Sequence, residues 1–131
     1  LKAARLQFRQ FKDAAGDIIN EIPNILIVPL ALEDTANEIV KSALVPYETS
    51  NTTNVNENRF TIKTLPRLTD ANDWWIGNTG SMKKNLLWIW RVKLELGKME
   101  SFDNYLAKAR AYMRYAMVRR DWRCILGSQV S

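Results

Sequence analysis

Apolar side chains recur every three to four residues at the start of the chain: Leu1, Ala4, Phe8, Phe11 and Ala15, with Lys2, Arg5, Arg9 and Lys12 between them. That spacing predicts an amphipathic helix closed by Gly16, followed by a turn from Asp17 to Pro23. Asn24-Ile25-Leu26-Ile27-Val28, bounded by Pro23 and Pro29, reads as a short strand buried inside a sheet. Leu32, Ala36, Ile39, Val40 and Ala43 then trace a second helical stripe that runs to about Leu44. Its acidic start, Glu33 and Asp34, matches the positive end of the helix dipole.

Val45 to Asn58 is polar and without period, which predicts an exposed loop. Beyond it, Phe60, Ile62 and Thr64 alternate with Thr61, Lys63 and Leu65, a strand ended by Pro66. Asp73 to Gly77 is a second short strand, and Gly77-Asn78-Thr79-Gly80 reads as a turn. The longest alternation follows. Trp88, Trp90, Val92, Leu94 and Leu96 fall on one face and Arg91, Lys93 and Glu95 on the other, which predicts a strand in a sheet covered on one side, its tryptophans toward the core. From Tyr105 to Arg119, propensity favours a helix, but a helix would spread the cations around most of its circumference. As a strand, Lys108, Arg110, Tyr112 and Arg114 share one face, while Ala107, Ala109, Ala111, Met113, Tyr115 and Met117 share the other. The period therefore favours a long strand.

Composition narrows the class. In 131 residues, 47% are apolar and 25% charged, which suits one folded domain and excludes disordered or collagen-like chains. The longest uncharged apolar-leaning run, Ile22 to Leu32, is eleven residues with two prolines, well short of the roughly 20 needed to cross a bilayer as a helix. Leu1 is not a start methionine and no signal-like stretch follows it, so a processed or partial product is expected. Charge is unevenly placed. Residues 1–65 carry seven Lys/Arg against eight Asp/Glu, and residues 66–131 carry twelve against six, together with all five tryptophans. A basic, aromatic half fits either a nucleic-acid surface or a sheet with aromatic packing and a solvated face.

Catalytic chemistry finds little to work with. The absence of histidine removes the commonest general base and most zinc sites, and the single cysteine, Cys124, lacks a base partner and is expected in the core. Gly77 to Lys84 fails the spacing of a phosphate loop. Asp70 with Asp73, and Glu33-Asp34 with Glu38, lack calcium-loop spacing and read as turn and helix-start acids. Asn51-Thr52-Thr53 matches the glycosylation pattern by chance. No enzyme, cofactor or metal is expected.

Several stretches, taken in order, resemble a known family: Ile25 to Glu33, Leu68-Thr69-Asp70-Ala71-Asn72-Asp73-Trp74-Trp75-Ile76, Leu86-Leu87-Trp88, Asp121-Trp122-Arg123 and Gly127-Ser128. The set is similar to the C-terminal half of tailed-phage major capsid proteins, in particular the Mu-like prophage major head subunit with its Hong Kong 97-type fold. The family pattern often has a second proline where Leu30 stands and a glycine where Arg120 stands. The resemblance implies an α+β fold, residues 1–131 as one unit, with an axial-domain-like part over about 16–100 and a long peripheral-domain strand over about 101–121. The N-terminal arm and extended loop would lie outside the chain.

It also implies a structural subunit that self-assembles through pentamers and hexamers into an icosahedral shell around double-stranded DNA. Scaffold and portal proteins are the further partners implied, with no membrane. The implied location is the virion, and the bacterial host cytoplasm during assembly. Lys108, Arg110, Arg114, Arg119, Arg120 and Arg123 are the candidate subunit or DNA contacts. The same six residues would serve the alternative, a small basic nucleic-acid-binding module.

Overall fold

The computed structural model describes residues 1–46, 52–101 and 106–129. Its elements are α1 (Lys2–Arg9), β1 (Ile25–Val28), a 3-10 turn (Leu30–Leu32), α2 (Glu33–Lys41), β2 (Thr61–Thr64), β3 (Trp74–Gly77), α3 (Thr79–Asn85), β4 (Leu86–Ser101), β5 (Leu106–Arg119) and β6 (Ile125–Ser128). Helices and mixed sheet together make the fold α+β. Two compact units result: Leu1–Lys83 with Trp122–Ser131, and Lys84–Asp121.

The first unit is built on a sheet of order β2-β1-β3-β6. β1 runs parallel to β2, which it reaches through α2, and antiparallel to β3, which in turn pairs antiparallel with β6. Register sets the core. Ile62, Leu26, Ile76 and Leu126 are successive cross-strand partners and form one apolar row across the sheet. Phe8 from α1 and Ala36 and Val40 from α2 cover that row, and Phe8 and Ile76 have no exposed surface. Burying side chains of this size contributes about 1.5–3 kcal/mol each, enough to hold short strands and short helices that would not persist alone. The opposite face carries Ile27, Trp75 and Gly127 as partners in one row, and there Ile27 and Trp75 are only half-buried. β1 thus lies inside the sheet as expected, with one of its faces better covered than the other.

Three expectations for this unit need correction. The first helix ends at Arg9 and does not reach Ala15. Asp13 explains the early stop: its Oδ1 accepts the backbone N–H groups of Ala15 and Asp17, so the chain folds into a tight turn with Lys12 bridged to Ile18. Gly16 serves that turn at φ +94°. The second helix ends at Lys41, a turn early, where Asn54 takes over its last carbonyls. Finally, Gly77 to Gly80 is more than a turn, because α3 starts at Thr79. Asn78 Oδ1 accepts the N–H groups of Gly80 and Ser81, satisfying donors that a helix start leaves open.

The Val45 to Asn58 segment lies partly outside the described residues, including Asn51 of the glycosylation pattern. Its described end is anchored. Asn54 is buried, and its Nδ2 donates to the carbonyls of Ile39 at 2.6 Å and Ser42 at 2.9 Å. Asn58 donates its backbone N–H to Val40 at 2.8 Å. Cys124 is buried, as a core cysteine should be.

The second unit is a two-stranded antiparallel ladder of β4 and β5. The strand reading of Leu106–Arg119 holds, and Tyr105 lies outside the described residues. The cover expected over Trp88 and Trp90 is absent: no described residue between Lys84 and Arg120 is buried, and these two tryptophans are 48% and 46% exposed. The single apolar face is corrected as well. Register slips between Trp90 and Val92, and again between Val92 and Glu95, fit sixteen residues of β4 against fourteen of β5. Each slip inserts an extra residue and turns the side chains that follow to the opposite face. Val92 therefore lies opposite Arg114, while Trp90 lies opposite Tyr115 and Leu96 opposite Ala111.

Candidate interaction surface

Alternation along β5 sorts the ladder into two faces. One carries Lys108, Arg110 and Arg114, spaced two and four residues apart, hence about 7 and 13 Å along the strand. All three are exposed. Gly97 lies opposite Arg110 and leaves room for its side chain to cross the ladder; a Cβ there would stand 2.8 Å from Arg110 Nε. The other face carries the aromatics. Trp88 and Tyr115 stack with ring centroids 4.2 Å apart, and Trp90 stands against both at 5.6 and 5.7 Å.

The remaining candidate cations lie elsewhere. Arg119 pairs with Leu86 at the end of the ladder, on the aromatic side by alternation. Arg120 is exposed just past the strand, where its backbone N–H donates to the Asn85 carbonyl at 2.8 Å. Arg123 belongs to the first unit, half-buried, with its guanidinium carbon 5.2 Å from the Trp122 ring centroid. Trp122 also meets Phe11 edge-on at 5.2 Å. The structure thus gathers three of the six residues on one face and separates the other three.

Charge follows the same division. Residues 84–121 carry nine Lys/Arg against four Asp/Glu, and the rest of the chain carries ten of each, so the whole net charge of +5 belongs to the ladder unit. The exposed aromatic face was not anticipated. Its signal was the run Leu86-Leu87-Trp88-Ile89-Trp90, five consecutive apolar residues that a strand must divide between both its faces.

The first unit shows no cluster of metal-binding side chains among its described residues. Its apolar cavity, about 210 Å³ between α2 and the sheet, is lined by side chains such as Leu26, Val28, Leu32, Ile39 and Trp74. Among the described residues, no group of three or more His, Cys, Asp or Glu side chains is placed to hold a metal ion. Asp70 Oδ1 accepts the Asn72 N–H in a turn, as read from sequence. No described helix is long and apolar enough to cross a membrane. The molecule presents surfaces for contact.

The segments that carried the family resemblance meet within this frame: Ile25 to Glu33, Leu68 to Ile76 and Gly127-Ser128 supply three of the four strands of the first unit's sheet. A profile of the phage capsid protein family matches residues 1–127. The chain belongs to the phage capsid protein family. Neither the curated proteins nor the solved structures gave a match. Membership gives the chain a structural role in a phage capsid, a non-enzymatic kind of protein. Exposed aromatic and basic faces suit such a role, since a structural subunit works through its contacts.

Proposed function

We propose that this chain is a major head subunit of the Mu-like prophage type, with a Hong Kong 97-type fold, which self-assembles into an icosahedral shell around double-stranded DNA. The observation that carries the capsid role is the family match over residues 1–127, and the head-subunit type rests on the ordered sequence resemblance. Pentamers and hexamers are the intermediates of such a shell, with scaffold and portal proteins as further partners. The protein then resides in the virion, and in the host cytoplasm during assembly. Residues of about 16–100 act as the axial-domain-like part and about 101–121 as the long peripheral strand. Leu106–Arg119, most of that strand, pairs along its length with Leu86–Ser101. Lys108, Arg110 and Arg114 face acidic groups of neighbouring subunits or the packaged DNA, which they contact through phosphates and without reading sequence. Electron microscopy of the purified protein tests the proposal, with closed shells as the expected outcome.

A second reading has one observation in its favour, the confinement of the +5 charge to the ladder unit. A basic β-ribbon is of a size to enter the major groove of DNA. A nucleic-acid module would bind duplex DNA with affinity falling steeply as salt rises, and would form no shells without it.

A further inference from the structure

The aromatic face of the ladder is larger and more exposed than an isolated pair of strands tolerates. Trp88, Trp90, Leu96, Met113, Tyr115 and Met117 share it by register, and their exposures run from 45% for Tyr115 to 76% for Leu96. A two-stranded ladder is marginal in water on its own, and a third strand, a helix or a second sheet must cover it. Contiguous apolar patches beyond a few hundred Å² mark contact surfaces. The six side chains together expose on the order of 800 Å², which is what each partner of a stable protein interface buries.

We infer that this face is a self-complementary interface, on which the same face of a second copy of the chain packs to form a four-stranded sandwich. The inference deepens the shell reading and rests on it for the identity of the partner. Two observations choose the second copy. The exposed area matches one side of a standard interface, so a single partner face of equal size suffices. Most of the charge is also turned away: Lys108, Arg110 and Arg114 lie on the opposite face and point outward in such a sandwich, and the charged residues on the aromatic side, Arg119 at one end and Lys98 with Glu100 toward the other, lie outside the cluster of Trp88, Trp90 and Tyr115. DNA would be drawn first to the opposite face, where Lys108, Arg110 and Arg114 are gathered, because the aromatic face carries Lys98, opposite Ala109, and Arg119, opposite Leu86, only toward the two ends of its cluster. Two sheets packed face to face keep their strands within about 30° and exclude water from a layer about 10 Å thick, which fits flat, stacked rings such as Trp88 and Tyr115. Related by a two-fold axis, each residue meets the same set in its partner.

The test is sedimentation velocity of the full chain over a hundredfold concentration range, without nucleic acid, on wild type and three variants. Met117→Glu and Leu96→Lys alter the aromatic face at positions 73% and 76% exposed, and Val118→Glu alters the neighbouring position on the opposite face, 45% exposed. Near-ultraviolet circular dichroism of the stacked aromatics reports in each case that the ladder is formed. The wild type is expected to self-associate, with tryptophan emission moving to shorter wavelength as it does. Each aromatic-face variant should raise the dissociation constant at least about 30-fold, the effect of losing a contact in the centre of an interface, while Val118→Glu stays within about threefold. A wild type that remains monomeric, or equal effects on both faces, overturns the inference. Closed shells that form normally from Met117→Glu would overturn it and leave the shell reading standing. Association that appears only when duplex DNA is added would overturn both.

Discussion

At the scale of single residues, local geometry separates positions that look alike in sequence. Gly127 and Gly97 are both strand glycines facing a large side chain. A Cβ on Gly127 would lie 2.5 Å from Trp75 Nε1 and 2.6 Å from its Cδ1, so the whole indole must shift. At Gly97 the obstacle is the flexible side chain of Arg110. Gly127→Ala should therefore cost about 1–3 kcal/mol in urea unfolding, and Gly97→Ala less than about 1. Similar costs at the two sites would mean that Trp75 does not pack on the β6 backbone. Asn54 makes the same point for polar residues. Its sequence neighbourhood suggests an exposed loop, yet its amide closes the C-terminal end of α2 through two carbonyls. Asn54→Ala leaves those acceptors without their partner and should destabilise the first unit by about 2–3 kcal/mol, measured by the same unfolding. Asn58→Ala removes only a side chain at a left-handed φ of 53°, and about 1 kcal/mol is expected for it.

At the scale of elements, the question is which ones carry stability. β1 and β3 hold Leu26, Val28 and Ile76 in the core, whereas β4 and β5 bury nothing among the described residues. Ile76→Ala should cost about 3–4 kcal/mol, and Trp90→Ala, despite the larger side chain, only about 1 in the monomer. Hydrogen exchange provides the backbone counterpart. Amides of β4 and β5 in dilute monomer should exchange at least about tenfold faster than those of β1 and β3, since fewer buried contacts oppose local opening. Equal protection would show that the ladder is covered within one chain. The elements differ in the same way in how legible they were from sequence. β1 follows from its apolar run between Pro23 and Pro29, and β2, ending before Pro66, and β5 from two-residue periods, because none of these strands carries an extra residue. α1 was read too long because Asp13 diverts the backbone, and α3 was missed because Asn78 looks the same at a turn and at a helix start. The two extra residues in β4 leave no mark on composition or period, so the face assignments beyond Trp90 needed the pairing partner.

At the scale of the molecule, the chain divides its tasks. One unit holds the buried core with balanced charge, and the other carries the net +5 and the exposed aromatics. Lys108, Arg110 and Arg114 were legible as one face because β5 alternates strictly, while the separation of Arg119, Arg120 and Arg123 from them was not, because it depends on where the strand ends and the unit changes. Reversing Arg110 and Arg114 together to Glu should leave the monomer folded, as exposed ion pairs contribute about 0–1 kcal/mol each. Assembly by that double variant should fail or become salt-sensitive, since a repeated contact multiplies a small repulsion. Sedimentation across a salt series reads both outcomes, and unchanged assembly would remove these cations from the subunit contacts. The central claim is that this chain of the phage capsid protein family acts by assembling. Electron microscopy of the purified protein without nucleic acid addresses it most directly: closed icosahedral shells are the predicted result, and a dispersed monomer that only binds DNA, with an affinity falling steeply with salt, would contradict it.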